Sequence, residues 1–205
     1  MAIREGSIYY RNVEEFDFDK TCDFLEKEGI SLASKRKLDN GKILALDDDG
    51  DDYEVSYEQV KEKVSSSNYL TINTWLNDEE KIFWSFCPQD GHFVMDFYVG
   101  FLCQAGRDKV SKMFFNFFLS EINSIPQSLL GMFIDKNGRT YDYDFAPVFF
   151  TNSEPVDYVT DLICLPQEKF GLVEMKPGFS RAELDNGFIC ASRYPEFLNY
   201  LMSSS

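Results

Sequence analysis

The chain has 205 residues, of which 44% are hydrophobic and 16% aromatic, enough to fill a sizeable core and too apolar for wholesale disorder. Lys and Arg number 20 against 35 Asp and Glu, so the net charge is −15. That field disfavours nucleic acid and anionic membrane surfaces as partners and favours a basic protein.

Near the N-terminus, SIYYRN (7–12) reads as a strand, and no apolar signal-peptide core is expected before it. DFDKTCDFLEKEGI then sets Phe18, Cys22, Phe24 and Leu25 on one helical stripe, with Asp17 as N-cap and Gly29 as stop. Asn40-Gly41 predicts a hairpin between SKRKL and KILAL. The acidic run Asp47, Asp48, Asp49, Gly50, Asp51 and Asp52 follows, read as a turn leading into a helix near 56–64 that Ser56 caps. As a calcium loop the run fails. With Gly50 at the sixth position, Ala45 falls at the first, where an EF-hand needs Asp or Asn, and Ser56 at the twelfth, where it needs a bidentate Glu.

Three strands come next, NYLTINTWL (68–76), KIFWSFC (81–87) and HFVMDFYVGFL (92–102), linked by polar turns into an antiparallel meander. Trp84 and Phe86 share one strand face and Phe83 takes the other, so layers are expected on both sides. A helix over 107–123 carries a broad apolar stripe that suits packing across the meander. Beyond a soft seam near 124–128, LLGMFIDKNGRTYDYDF reads as a second Asn-Gly hairpin. Strands are expected at 156–165, 170–175 and 188–193, and a terminal helix at 195–202. The segment 174–188 reads as a loop or short helix with Ser180 as N-cap and Glu183 three residues on. The fold class is therefore α+β, mainly antiparallel sheet with a few packed helices, in one compact domain over 1–205.

Catalytic and cofactor signatures are absent. GxGxxG, the P-loop pattern and GxSxG do not occur, and no cofactor is expected. The lone histidine, His92, reads as a hairpin-tip residue, though a pairing with Cys87 across the hairpin is conceivable on paper. Glu174 and Lys176 read as the solvent face of a strand. Five scattered cysteines without CxxC spacing argue against a disulfide framework or zinc site, and for a reducing, cytoplasmic setting. Within LICL, Cys164 reads as a small buried hydrophobe.

Three acidic stretches carry interleaved aromatics nearby: Asp47–Asp52, then Asp78, Glu79 and Glu80, then Tyr141, Asp142, Tyr143 and Asp144. With these stretches the chain resembles the immunity proteins that bacteria pair with polymorphic or contact-dependent toxins. The resemblance implies a small, acidic, cytoplasmic, cofactor-free α+β protein that binds a cognate, basic toxin domain through those residues. The alternative reading is a small intracellular enzyme or ligand-binding domain whose site carries no recognised motif.

Overall fold

The computed structural model describes residues 4–37, 39, 41–100, 102–136, 138, 145–151, 160–171 and 177–202. It is an α+β fold built on one antiparallel sheet. The strands are β1 (Arg4–Tyr10), β2 (Ile43–Leu46), β3 (Asp52–Val55), β4 (Leu70–Trp75), β5 (Lys81–Gln89), β6 (His92–Tyr98), β7 (Leu129–Ile134), β8 (Leu162–Pro166), β9 (Ser180–Glu183) and β10 (Phe188–Ser192). Their order across the sheet is β3-β2-β4-β5-β6-β1-β7-β8-β10-β9. The first strand in sequence thus lies in the middle. It pairs with β6 on one side and β7 on the other, joining the strands before and after 124–128 into one sheet.

Six helices are present among the described residues: α1 (Phe18–Lys27), α2 (Tyr57–Ser65), α3 (Gln104–Ser124), α4 (Ala146–Phe150), α5 (Gln167–Phe170) and α6 (Pro195–Met202). No helix among the described residues is long and apolar enough to cross a membrane. The sheet's alternation divides the core. Ile8, Trp84, Phe86, Met95 and Phe97 face α1, α2, α3 and α6, whereas Tyr9, Val94, Phe133 and Ile163 face α4 and α5. The breadth of the α3 stripe has a packing cause. Phe114 meets Trp84 and Phe97 on the sheet, Phe117 meets Phe24 on α1, and Phe115 meets Phe197 on α6. A helix buried between two others needs apolar residues on its flanks as well as its base.

The predicted caps hold. Asp17 accepts from the Lys20 N–H at 3.0 Å, and Ser56 forms a reciprocal capping box with Gln59. The meander holds too, closed between β5 and β6 by Asp90 and Gly91, both in the left-handed region. Three expectations are corrected. The acidic run does not lead directly into a helix: residues 52–55 form β3, so the run is the loop of a β2–β3 hairpin. The Asn40-Gly41 hairpin shrinks to a single Ala33–Ile43 bridge, because β3 and β4 occupy the two edges of β2. Both edges of β7 are taken by β1 and β8, and the second strand of the hairpin expected beyond Asn137-Gly138, residues 139–144, lies outside the described residues. Finally, Ser180–Glu183 is not a loop or helix start but an edge strand paired with β10. The strand expected at 170–175, with Glu174 and Lys176, falls mostly outside the described residues; Phe170 itself ends α5.

The cysteine reading is also corrected. Cys164 and Cys190 are register partners on β8 and β10 and form a disulfide, their Cα atoms 4.1 Å apart. Neither is solvent-exposed. Twenty-six residues separate them in sequence, and only the strand pairing brings them together.

Candidate functional site

The acidic hairpin loop is shaped by its own first residue. The Asp47 carboxylate accepts from the N–H groups of Asp49 (3.0 Å) and Asp51 (2.8 Å), and its backbone bonds to Asp51 and Gly50 close the turn. An aspartate used this way stabilises a tight turn. Asp48, Asp49 and Asp51 are left exposed. Asp52 points elsewhere. Its carboxylate accepts from Asn73 at 2.7 Å and lies 3.6 and 3.8 Å from Arg36 and Lys81, so its charge is spent inside the molecule.

Beside this loop opens a groove of about 480 Å³, lined by Leu46, Asp47, Asp48, Tyr53, Lys63, Tyr69, Leu70 and Thr71. Tyr69 is 63% exposed, the one large hydrophobic side chain left in solvent among the described residues. Its hydroxyl accepts from Thr71 Oγ1 at 3.1 Å, and Thr71 Oγ1 is in turn 2.7 Å from Ser85 Oγ. The ring is thus held by a bond within the chain. Lys63 lies over the Tyr53 ring and donates to its hydroxyl at 3.0 Å. Tyr69 was missed in sequence because it opens a strand-like run. Its one signal is that it shares a strand face with Thr71 and Asn73, away from Leu70 and Ile72.

The second acidic stretch lies at the opposite end of the sheet. Leu46 pairs with Thr71 and Asp52, whereas Lys81 pairs with Trp75, so the two loops leave the sheet in opposite directions. Glu80 there accepts from Cys103 and from the Asn77 side chain, and these bonds hold its pKa below the usual carboxylate range. It anchors the start of α3. Asp78 and Glu79 are exposed. Tyr141, Asp142, Tyr143 and Asp144 lie outside the described residues. Of the described stretches, Asp47–Asp51 and Asp78–Glu80 therefore do not share one surface.

The structure does place another acidic surface near the first. A cleft of about 590 Å³ between α1, α2 and the end of α3 is lined by Glu14, Glu15, Asp17, Asp19 and Glu121 together with Lys20 and Lys61. Glu121 is 1% exposed; Lys20 holds it at 2.6 Å, with the Tyr10 hydroxyl at 3.4 Å. Asp19 accepts from Lys61 (2.5 Å) and Tyr57 (2.7 Å), which lowers its pKa. Lys61, Val64 and Ser65 of α2 border this cleft and Lys63 borders the Tyr69 groove, so the two openings flank one helix. In sequence the stretch EEFDFD read only as a helix start.

One buried carboxyl stands apart. A bulge between Arg4 and Gly6 turns Glu5 towards α3, where Ser111 Oγ donates to it at 3.0 Å. Burial pushes its pKa up to about 8, against the weaker pull of Ser111, Arg107 and Lys136. Lys136 is itself paired with Asp108 at 2.6 Å. Glu5 lines none of the grooves above. His92 and Cys87 are not cross-strand partners, since Gln89 faces His92 and Val94 faces Cys87. Among the described residues, no three His, Cys, Asp or Glu side chains converge in a way that could hold a metal ion.

No protein-family model, no curated protein and no solved structure matches this chain.

Proposed function

We propose that this chain is a non-enzymatic binding protein, an immunity protein that neutralises a basic toxin domain by covering it. The observation that carries this reading is Tyr69: an exposed aromatic ring, held by a bond to Thr71, in a groove whose rim is Asp47 and Asp48. Tyrosines of this kind anchor interfaces, and surrounding carboxylates steer and register a cationic partner. The net charge of −15 extends the same attraction over the whole molecule. The surface is narrower than the sequence implied. Asp47, Asp48, Asp49 and Asp51 belong to it, and Asp52, Asp78, Glu79 and Glu80 do not. We place the protein in the cytoplasm on Cys22, Cys87 and Cys103, which stand outside the disulfide; the buried Cys164–Cys190 bond is the feature that speaks against that compartment.

The enzyme reading has one observation in its favour, the raised pKa of Glu5, and that group packs against α3 away from any described groove. The test is pull-down from the native host followed by co-expression. A basic toxin-like partner should be retained, and the chain should rescue growth from it. Asp48→Asn with Tyr69→Ala should abolish rescue while leaving the thermal melt intact. Retention of no such partner, or rescue by the double variant equal to wild type, would sink the proposal.

A further inference from the structure

The acidic surfaces leave a small basic group unexplained. Arg11 follows β1 and is fixed by its backbone: its N–H donates to Ser128 O at 2.9 Å and its Nε to Gln127 O at 2.6 Å. The Arg11 carbonyl lies 2.9 Å from His92 Nδ1. A carbonyl only accepts, so Nδ1 carries the proton, and the other ring nitrogen, Nε2, is left for a ligand. The imidazole stacks on Phe150 with ring centroids 4.3 Å apart. At the adjacent residue, the Phe149 carbonyl accepts from Lys169 Nζ. Strand end, hairpin start and α5 thus deliver three nitrogen bases around the end of α4.

Two of these, Arg11 and Lys169, are cations with no ion-pair partner among the described residues, in a chain with 35 acidic residues against 20 basic. Burial and, after it, the charge of Arg11 push the Lys169 pKa down, with Glu168 opposing. Like charges held together cost free energy that a bound anion would recover.

We propose that Arg11, His92 and Lys169 form a binding site for a small oxyanion, a carboxylate or phosphate. The guanidinium offers a planar fork, the ammonium a point charge, and the imidazole a donor once protonated. His92 and Lys169 are half-buried against Phe150 and Phe149, which strengthens their interactions relative to open water, while Arg11 is exposed. The site needs nothing from the toxin reading and stands whether or not that reading does.

His92 is the only histidine in the chain, so its ring gives isolated NMR signals. Inorganic phosphate and acetate are titrated separately into the wild-type protein, with sodium chloride at matched ionic strength as control. A saturable shift of the His92 signals and a rise in its titration midpoint are expected with at least one anion and not with chloride. Arg11→Gln and Lys169→Met should each weaken binding about tenfold or more, the effect of one lost charge-assisted bond. Lys169→Arg should restore it, and amide spectra report whether each variant is folded. Response to phosphate alone, or to acetate alone, identifies the anion. Shifts that chloride reproduces, or that survive unchanged in folded Arg11→Gln or Lys169→Met protein, overturn the proposal.

Discussion

Glu5 shows how a one-residue irregularity changes chemistry. In a regular strand its side chain would point to the face opposite Gly6's neighbours; the bulge turns it to α3 instead. Its folded pKa of about 8 stands above the ordinary 4.5. The folded state therefore binds the proton more tightly than the unfolded chain. Stability from this group is complete below about 4.5 and declines as pH rises towards 8. Glu5→Gln, which keeps the shape without the charge, should flatten that decline. We expect the variant to exceed wild type by roughly 2–3 kcal/mol at pH 9 and to differ little at pH 4, allowing for relaxation around the charge. Urea melts at both pH values decide it, and parallel curves for the two proteins would refute the role. Next to it, Gly6 is held by space. A Cβ there would lie 2.3 Å from the Phe97 ring and 2.8 Å from the Phe133 carbonyl. Gly6→Ala should cost about 2–4 kcal/mol. Gly50→Ala, with φ of +85° and open space around it, should cost only about 1 kcal/mol. Denaturant midpoints of the two variants make the comparison.

Elements were legible where their signals are local. The capping box of α2 sits within four residues, Ser56 to Gln59, and could be read directly. Removing it by Ser56→Ala should cost about 1 kcal/mol in a thermal or urea melt. The meander was legible for the same reason, since short turns join strands with clear alternation. What failed was decided by distant pairing. Ser180 and Glu183 carry the spacing of a helix cap, yet β10 recruits them as a strand. Asp52–Val55 is four residues long, too short to show alternation beside an acidic run. The disulfide failed likewise, because no spacing rule joins Cys164 to Cys190 without the sheet. The candidate surface divides the same way. The exposure of Asp47–Asp51 was legible from composition. That Asp52 is paired with Asn73, Arg36 and Lys81, that Tyr69 stands beside the loop, and that Asp78–Glu80 lies at the far end all follow from register, which a local reading does not contain.

Across the whole molecule, charge and aromatic anchor make separable contributions to the proposed binding. The loop carboxylates of Asp48, Asp49 and Asp51 are exposed and act through water, so they govern the encounter more than the finished complex. Tyr69 acts only on contact, by losing its exposed area to the partner. Replacing the three aspartates by Asn should therefore slow association with the basic partner about tenfold at low salt, with little effect at 0.5 M salt and little on dissociation. Tyr69→Ala should leave association nearly unchanged and speed dissociation about tenfold or more at any salt. Asp78→Asn with Glu79→Gln should alter neither rate by more than about twofold, because that loop leaves the sheet at the end opposite the Tyr69 groove and its exposed charges are screened in ordinary buffer. Surface-bound kinetics at two salt concentrations separate these outcomes. If the far-end pair slowed association as much as the loop triple, steering would belong to the net charge of −15 at large, and the Tyr69 groove would lose its claim to be where the partner docks.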